Sequence, residues 1–282
     1  MQKFTTSLMA LIIATTTNSM AQLKTPQPSP TQSLTQAFGL GEIKIEYSRP
    51  SVKGRTIFGD LVPFGKIWRT GANQSTKVTF GADTKVNGND IAAGTYALYT
   101  IPNTADWEII FYKDLTLGGN VGDYKKEDEM MRFKVKPMAT ADKMETFTIN
   151  VNNIAPTSCS IDLLWDKTKV SIPVTTNIDE NVMKQIDKAM GDNKPYFQAA
   201  NYYYENDKDL NKAREWINKA VENNPKAYWV LHTKAKIEYK LKNYPEATKA
   251  AEQSLALAKE SSDNSYIKMN EKLIADVKKM GK

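Results

Sequence analysis

The chain has 282 residues, 41% hydrophobic and 25% charged, with a formal net charge of +6. That composition excludes a disordered or fibrous chain and suffices for one large or two smaller domains. A single cysteine, Cys159, excludes an internal disulfide, and a single histidine, His232, leaves little material for Ser-His-Asp, Cys-His or zinc chemistry. The lysines are scattered rather than blocked, so the positive charge reads as a solvated surface that favours anions in general, not as a specific nucleic-acid site.

Residues 1–21 read as a secretory signal. Lys3 supplies the positive start, Leu8 to Ala14 the apolar run, and Ser19-Met20-Ala21 the small-x-small cleavage site. The apolar run is too short for a bilayer anchor, and no other stretch resembles a transmembrane segment. The expected destination is the periplasm or the exterior. Residues 22–37 alternate Pro26, Pro28 and Pro30 with polar residues and predict a disordered leader.

Ordered structure is expected from near Glu42, where Ile43, Ile45 and Tyr47 alternate with charged neighbours as in a half-buried strand. Between Arg49 and Asn73 lies the densest run of Gly, Pro, Arg, Trp and Asn in the chain. Thr76, Val78 and Phe80 resume the period of two, and Asn87-Gly88 is a hairpin signal because both residues tolerate positive φ. Strands follow at Thr95 to Ile101 and Trp107 to Tyr112. The glycines of 118–122 match no nucleotide-binding pattern. Asp123 to Met130 reads as a short helix that would align Tyr124, Asp128 and Arg132 on one side. Four further strands are expected at 132–136, 145–152, 157–165 and 169–174. Cys159 falls on the inward face of the third, as a small buried hydrophobe rather than a nucleophile.

Short strands joined by tight turns predict an antiparallel β-sandwich or flattened barrel over residues 38–176. From 177 to 282 the period changes to 3.6 and predicts a helical domain. Within it Ala213 and Ala247 lie 34 residues apart, with Tyr203 and Ile237, and Ile217 and Ala251, at the same offset. This resembles a degenerate tetratricopeptide repeat, a helix–turn–helix array. Such an array implies either a groove for a peptide or protein, or a packing appendage. The whole is an α+β chain in two parts.

The motifs Arg49-Pro50-Ser51-Val52-Lys53-Gly54-Arg55, Leu61-Val62-Pro63-Phe64-Gly65 and Trp68-Arg69-Thr70-Gly71-Ala72-Asn73 occur in order. Ala93-Gly94-Thr95-Tyr96 and Tyr124…Asp128…Arg132 follow them. Over about residues 42–175 the chain resembles the domain of unknown function 2911 family of exported bacterial proteins. The resemblance implies fold and export and brings no activity.

Arg49, Arg55 and Arg69 offer planar, bidentate donors for carboxylate, sulfate or phosphate, and Trp68 and Tyr47 could stack on a sugar. The three arginines with Trp68, Asn73, Tyr124 and Arg132 form the candidate ligand site. The alternative is that the arginines tie down long loops through carbonyls and acids such as Asp60. No catalytic residue, metal ligand or cofactor is expected. The expectation is an exported binding or structural module, with an anionic small molecule or glycan at the arginine cluster. A glycan hydrolase is the second reading. It would need paired carboxylates, and Asp60, Asp106 and Asp114 show no diagnostic spacing.

Overall fold

The computed structural model describes residues 25–280. The expected signal segment lies outside them. The chain divides into two compact units after Asn177.

Among the described residues the first unit has ten strands in two antiparallel sheets. The order of the six-stranded sheet is β1 (Thr31–Phe38), β2 (Gly41–Ser48), β3 (Thr76–Phe80), β6 (Gly94–Ile101), β7 (Trp107–Tyr112) and β8 (Glu129–Val135). The four-stranded sheet runs β5 (Asn89–Ile91), β4 (Thr84–Val86), β10 (Ser158–Thr175) and β9 (Met138–Asn152). Inward residues of both sheets share one core: Ile43, Val78 and Leu98 from one side, Ile149, Ile161 and Ile172 from the other. Alternation sets this arrangement, since a period of two sends every second side chain to the same face. β4 and β5 turn at Asn87 (φ 49) and Gly88 (φ 81), the positive-φ pair that a tight hairpin needs.

Three expectations need correction. The leader is not disordered to residue 37, and order does not begin near Glu42: β1 starts at Thr31 and pairs along its whole length with β2. The prolines stop at Pro30. Beyond it Leu34 and Phe38 pack on the core, so composition over the full stretch masked a strand. The two strands at 157–165 and 169–174 are one strand, β10. Asp166 adopts φ 51 at a register shift against β9, which is how one extra residue bends a strand without ending it. The helix at 123–130 is replaced by two single 3₁₀ turns, Val121–Asp123 and Lys126–Asp128, and then by β8.

Residues 113–128 fold back on the outer face of the six-stranded sheet. Leu115, Leu117 and Tyr124 cover Ala97, Tyr99, Ile110 and Tyr112 there. Strand β6 is therefore buried on both faces, although its sheet is antiparallel.

The second unit has six helices: α1 (Asp179–Asp192), α2 (Tyr196–Glu205), α3 (Leu210–Asn223), α4 (Tyr228–Lys240), α5 (Tyr244–Glu260) and α6 (Asn264–Met280). From α2 onward, consecutive helices pack on one another. The boundaries follow from local chemistry. Asp209 caps α3 by accepting the Asn211 and Lys212 amides at 2.8 and 3.2 Å, and Asp263 does the same for the start of α6 at Ser265 and Tyr266. Pro245 sits in the first turn of α5, where a missing N–H costs nothing. Ala213, Ala247, Ile217 and Ala251 are fully buried between helices. His232, on α4, is buried and bonded to Asn270 on α6 at 2.8 Å. Asn270 in turn donates to Ser254 on α5.

Candidate functional site

The long connection from β2 to β3 is fixed in two stretches. In the first, residues 50–52 lie alongside β9. The Phe147 amide donates to the Pro50 carbonyl at 2.8 Å, and the Val52 amide to the Glu145 carbonyl at 2.8 Å. Arg49 fastens this seam, donating to the Phe147 carbonyl at 3.0 Å and the Thr148 hydroxyl at 2.7 Å. The chain then turns through Lys53 (φ 49) and Gly54 (φ 73). Arg55 closes the turn by donating to the Val52 carbonyl at 3.0 Å and the Ser51 carbonyl at 2.6 Å. One side of its guanidinium is thus held rigid and the rest stays exposed.

In the second stretch Trp68 pairs through its backbone with Thr100 of β6. Thr70, Gly71 and Asn73 all have positive φ. This costly backbone is held by surrounding bonds. Trp68 Nε1–H donates to the Gly71 carbonyl at 3.0 Å, the Thr70 hydroxyl to that of Thr100 at 3.1 Å, and the Asn73 amide to Ser29 O and Ser48 Oγ at 3.2 Å each. The Trp-Arg-Thr-Gly-Ala-Asn motif is, in large part, the recipe for this loop.

The two stretches enclose a cleft of about 310 Å³. Lys53, Arg55 and Arg69 line it, Leu61 and Val62 form an apolar wall, and Trp68 and Trp165 lie beneath. No Asp or Glu is among its lining residues. The flanking acid, Glu145, accepts the Lys53 backbone N–H at 2.8 Å, which holds its carboxyl below the usual range, and it also meets Lys143 at 3.5 Å. Among the described residues neither Lys53 nor Arg55 forms a salt bridge, although the Glu145 carboxylate lies within electrostatic reach of Arg55.

Arg69 contributes to the cleft wall, but its guanidinium packs against Gly119. A Cβ there would lie 2.5 Å from Nη1. Its Nε–H is buried with no acceptor, as is Nε1–H of Trp165. Both atoms are closed to water, so Lys53 Nζ and the free edge of Arg55 are the donors a ligand meets first.

The seven candidate residues therefore do not form one site. Arg55, Arg69 and Trp68 share the cleft, and Arg49 holds β9 behind it. Asn73 lines a separate pocket of about 430 Å³ with Gln27, Thr31, Glu46, Ser48 and Lys77. Tyr124 and Arg132 lie at the outer face of the six-stranded sheet. There Arg132 forks onto Glu129 at 2.6 and 2.9 Å and pairs with Glu108, and the Tyr124 hydroxyl donates to Glu129 at 2.9 Å. Glu129, not Asp128, is thus the acid of this group. Its bonds raise the Arg132 pKa, and burial raises that of Tyr124. The Tyr124 ring stacks on Tyr112 at 4.6 Å. This cluster pins residues 113–128 to the sheet, and its arginine is already paired with two carboxylates.

Tyr47 and Trp68 are not sugar platforms. Tyr47 is buried, and Trp68 is covered by Trp165, stacked at 5.7 Å, and by Phe147 and Phe58. Aromatic rings in these strands serve the core first. Of the carboxylates considered for hydrolysis, Asp106 pairs with Lys134 at 3.1 Å and Asp114 bonds Thr116 at 2.7 Å. None of the three lines the cleft. Among the described residues, no cluster of three or more His, Cys, Asp or Glu is placed to hold a metal ion. Lys53 and Trp165 are cleft residues that sequence reasoning missed. Lys53 was legible beside Gly54 at the turn, whereas Trp165 comes from a strand about a hundred residues away.

Fold and cleft together define a β-sandwich that carries a cationic cleft, joined to a helical unit. Residues 29–174 match the model of DUF2911, a protein family of unknown function, and the chain belongs to that family. No curated protein and no solved structure matches the chain. Among the described residues no helix is long and apolar enough to cross a membrane.

Proposed function

We propose that this protein is an exported, non-catalytic binding module whose cleft receives a compact anionic group. Carboxylate, sulfate or phosphate fits, carried on a small molecule or a glycan. One observation carries the reading: among the described residues Lys53 and Arg55 form no salt bridge, and they stand on a turn beside a cleft with no acid in its lining. Arg55, fixed by its bonds to the Val52 and Ser51 carbonyls, has lost much of its side-chain freedom before the ligand arrives, so less entropy is lost on binding. Arg55 gives a directional donor and Lys53 a mobile point charge. Export rests on the signal pattern of residues 1–21. The helical unit is read as a tetratricopeptide-like array that takes a peptide or protein partner, on the 34-residue offset of its buried alanines.

The test is calorimetric titration of the full mature chain with inorganic phosphate, sulfate and an oligomer of uronic acids. At least one should bind, and Arg55→Ala should weaken it about tenfold or more, the range for a hydrogen bond to a charged group. Lys53→Glu should weaken it further at low salt. Binding that neither substitution alters would overturn the assignment. Release of shorter sugars would return the hydrolase reading.

A further inference from the structure

We propose that β1 is a self-association edge through which two copies of this chain join their six-stranded sheets. Among the described residues β1 lies at the end of its sheet and pairs only with β2. Alternate backbone N–H and C=O groups along its eight residues therefore face away from the sheet without a strand partner.

Natural edge strands are blunted by charges, prolines or bulges. The other three edges follow that rule. β8 carries Glu129, Arg132 and Lys134; β9 carries Asp142, Lys143 and Glu145; β5 carries Asp90. β1, Thr-Gln-Ser-Leu-Thr-Gln-Ala-Phe, has no charge, no proline and an unbroken register.

Its sequence also selects the occupant. Placed antiparallel about a two-fold axis at Leu34, β1 faces its own copy with like opposite like. Leu34 meets Leu34, Gln32 meets Gln36, and Ser33 meets Thr35. Directly opposed side chains share a face, so the half-buried Leu34, which packs on the core, would continue that core across the junction. Opposed amides and opposed hydroxyls can each bond across the pair, and no like charges meet. A two-fold contact of one patch with itself is the commonest route to a homodimer. A foreign peptide strand would be selected by side-chain pockets along the edge, yet the pocket nearby touches β1 only at Thr31. One strand pair is smaller than a standard stable interface, so the association is reversible and concentration-dependent.

Sedimentation equilibrium of the full chain over a wide concentration range tests this. The expected result is a monomer–dimer equilibrium that Thr35→Lys weakens at least tenfold. Thr35 is exposed on the outer face, so the substitution leaves the core intact. Leu34→Cys should also cross-link two chains under mild oxidation, since opposed strand positions lie within disulfide range. Lys134→Cys, on the opposite edge, is the control. The proposal fails if the chain is monomeric throughout, if Thr35→Lys leaves a dimer intact, or if position 34 cross-links no faster than position 134.

Discussion

The hydroxyl of Tyr47 on β2 reaches across the sandwich to both backbone groups of Ile149 on β9. It accepts the Ile149 amide at 2.8 Å and stands 3.1 Å from the Ile149 carbonyl. The two residues are 102 positions apart, and the bond joins one sheet to the other through the core. Burial raises the Tyr47 pKa, so the hydroxyl stays protonated.

Tyr47→Phe should therefore cost about 1–3 kcal/mol, because it keeps the ring and strands a buried amide. Chemical denaturation of the two proteins measures it. A loss below a few tenths of a kcal/mol would mean that water replaces the hydroxyl.

Asp162 on β10 has no solvent exposure. Burial alone would raise its pKa, but bonds from Lys169 at 2.8 Å, Ser171 at 2.6 Å and Asn152 at 2.8 Å outweigh it and hold the carboxyl below its usual range. A depressed carboxyl stabilises the fold above its unfolded pKa, near ~3.9, and loses that contribution as pH falls through the lower folded value. Asp162→Ala should cost about 3 kcal/mol at neutral pH by removing the acceptor of three donors. The cost should shrink in strong acid, as denaturation midpoints against pH would show.

His232 has the opposite sense. Burial lowers its pKa, against the bond to Asn270, so the folded state holds it neutral. The unfolded chain protonates near ~6.5, so stability from this group is complete above that pH and declines as pH falls below it. His232→Gln should flatten the slope of helix melting between about pH 6.5 and 5. Circular dichroism follows it directly, and an unchanged slope would assign the effect to other groups.

Gly71 has φ 151, and a Cβ there would lie 3.0 Å from the Ser48 carbonyl oxygen. Gly71→Ala should destabilise the protein by about 1–3 kcal/mol, from strain and from displacing the loop that Trp68 caps. If Gly71→Ala melts with the parent, the loop is free to relax.

Much of the fold was legible because it depends on alternation. Val78 and Phe80, Ile161 and Leu163, and the Asn87-Gly88 turn all stand where a period of two puts them. Missed features depend on contacts remote in sequence. β1 has only Leu34 and Phe38 to mark it, and its order comes from pairing with β2. The gap between the strands expected at 157–165 and 169–174 is a bulge at Asp166, φ 51, inside one strand. At the site, residue type was legible but direction was not. Arginines within seven residues of one another, Arg49 and Arg55, took a tether and a cleft wall respectively. Which side of the chain each faces is set by whether Pro50 to Val52 lies along β9.

The stacked Trp68 and Trp165 rings lie 5.7 Å apart with an interplanar angle of 17°, directly under the cationic cleft. Indoles held that close couple their transitions, so the pair should give a strong near-ultraviolet dichroic band. An anion arriving beside Lys53 and Arg55 would perturb that band and the indole emission through its field. Occupancy of the proposed anion cleft would thus be readable from the protein's own indoles, without a label and without knowing the ligand beforehand.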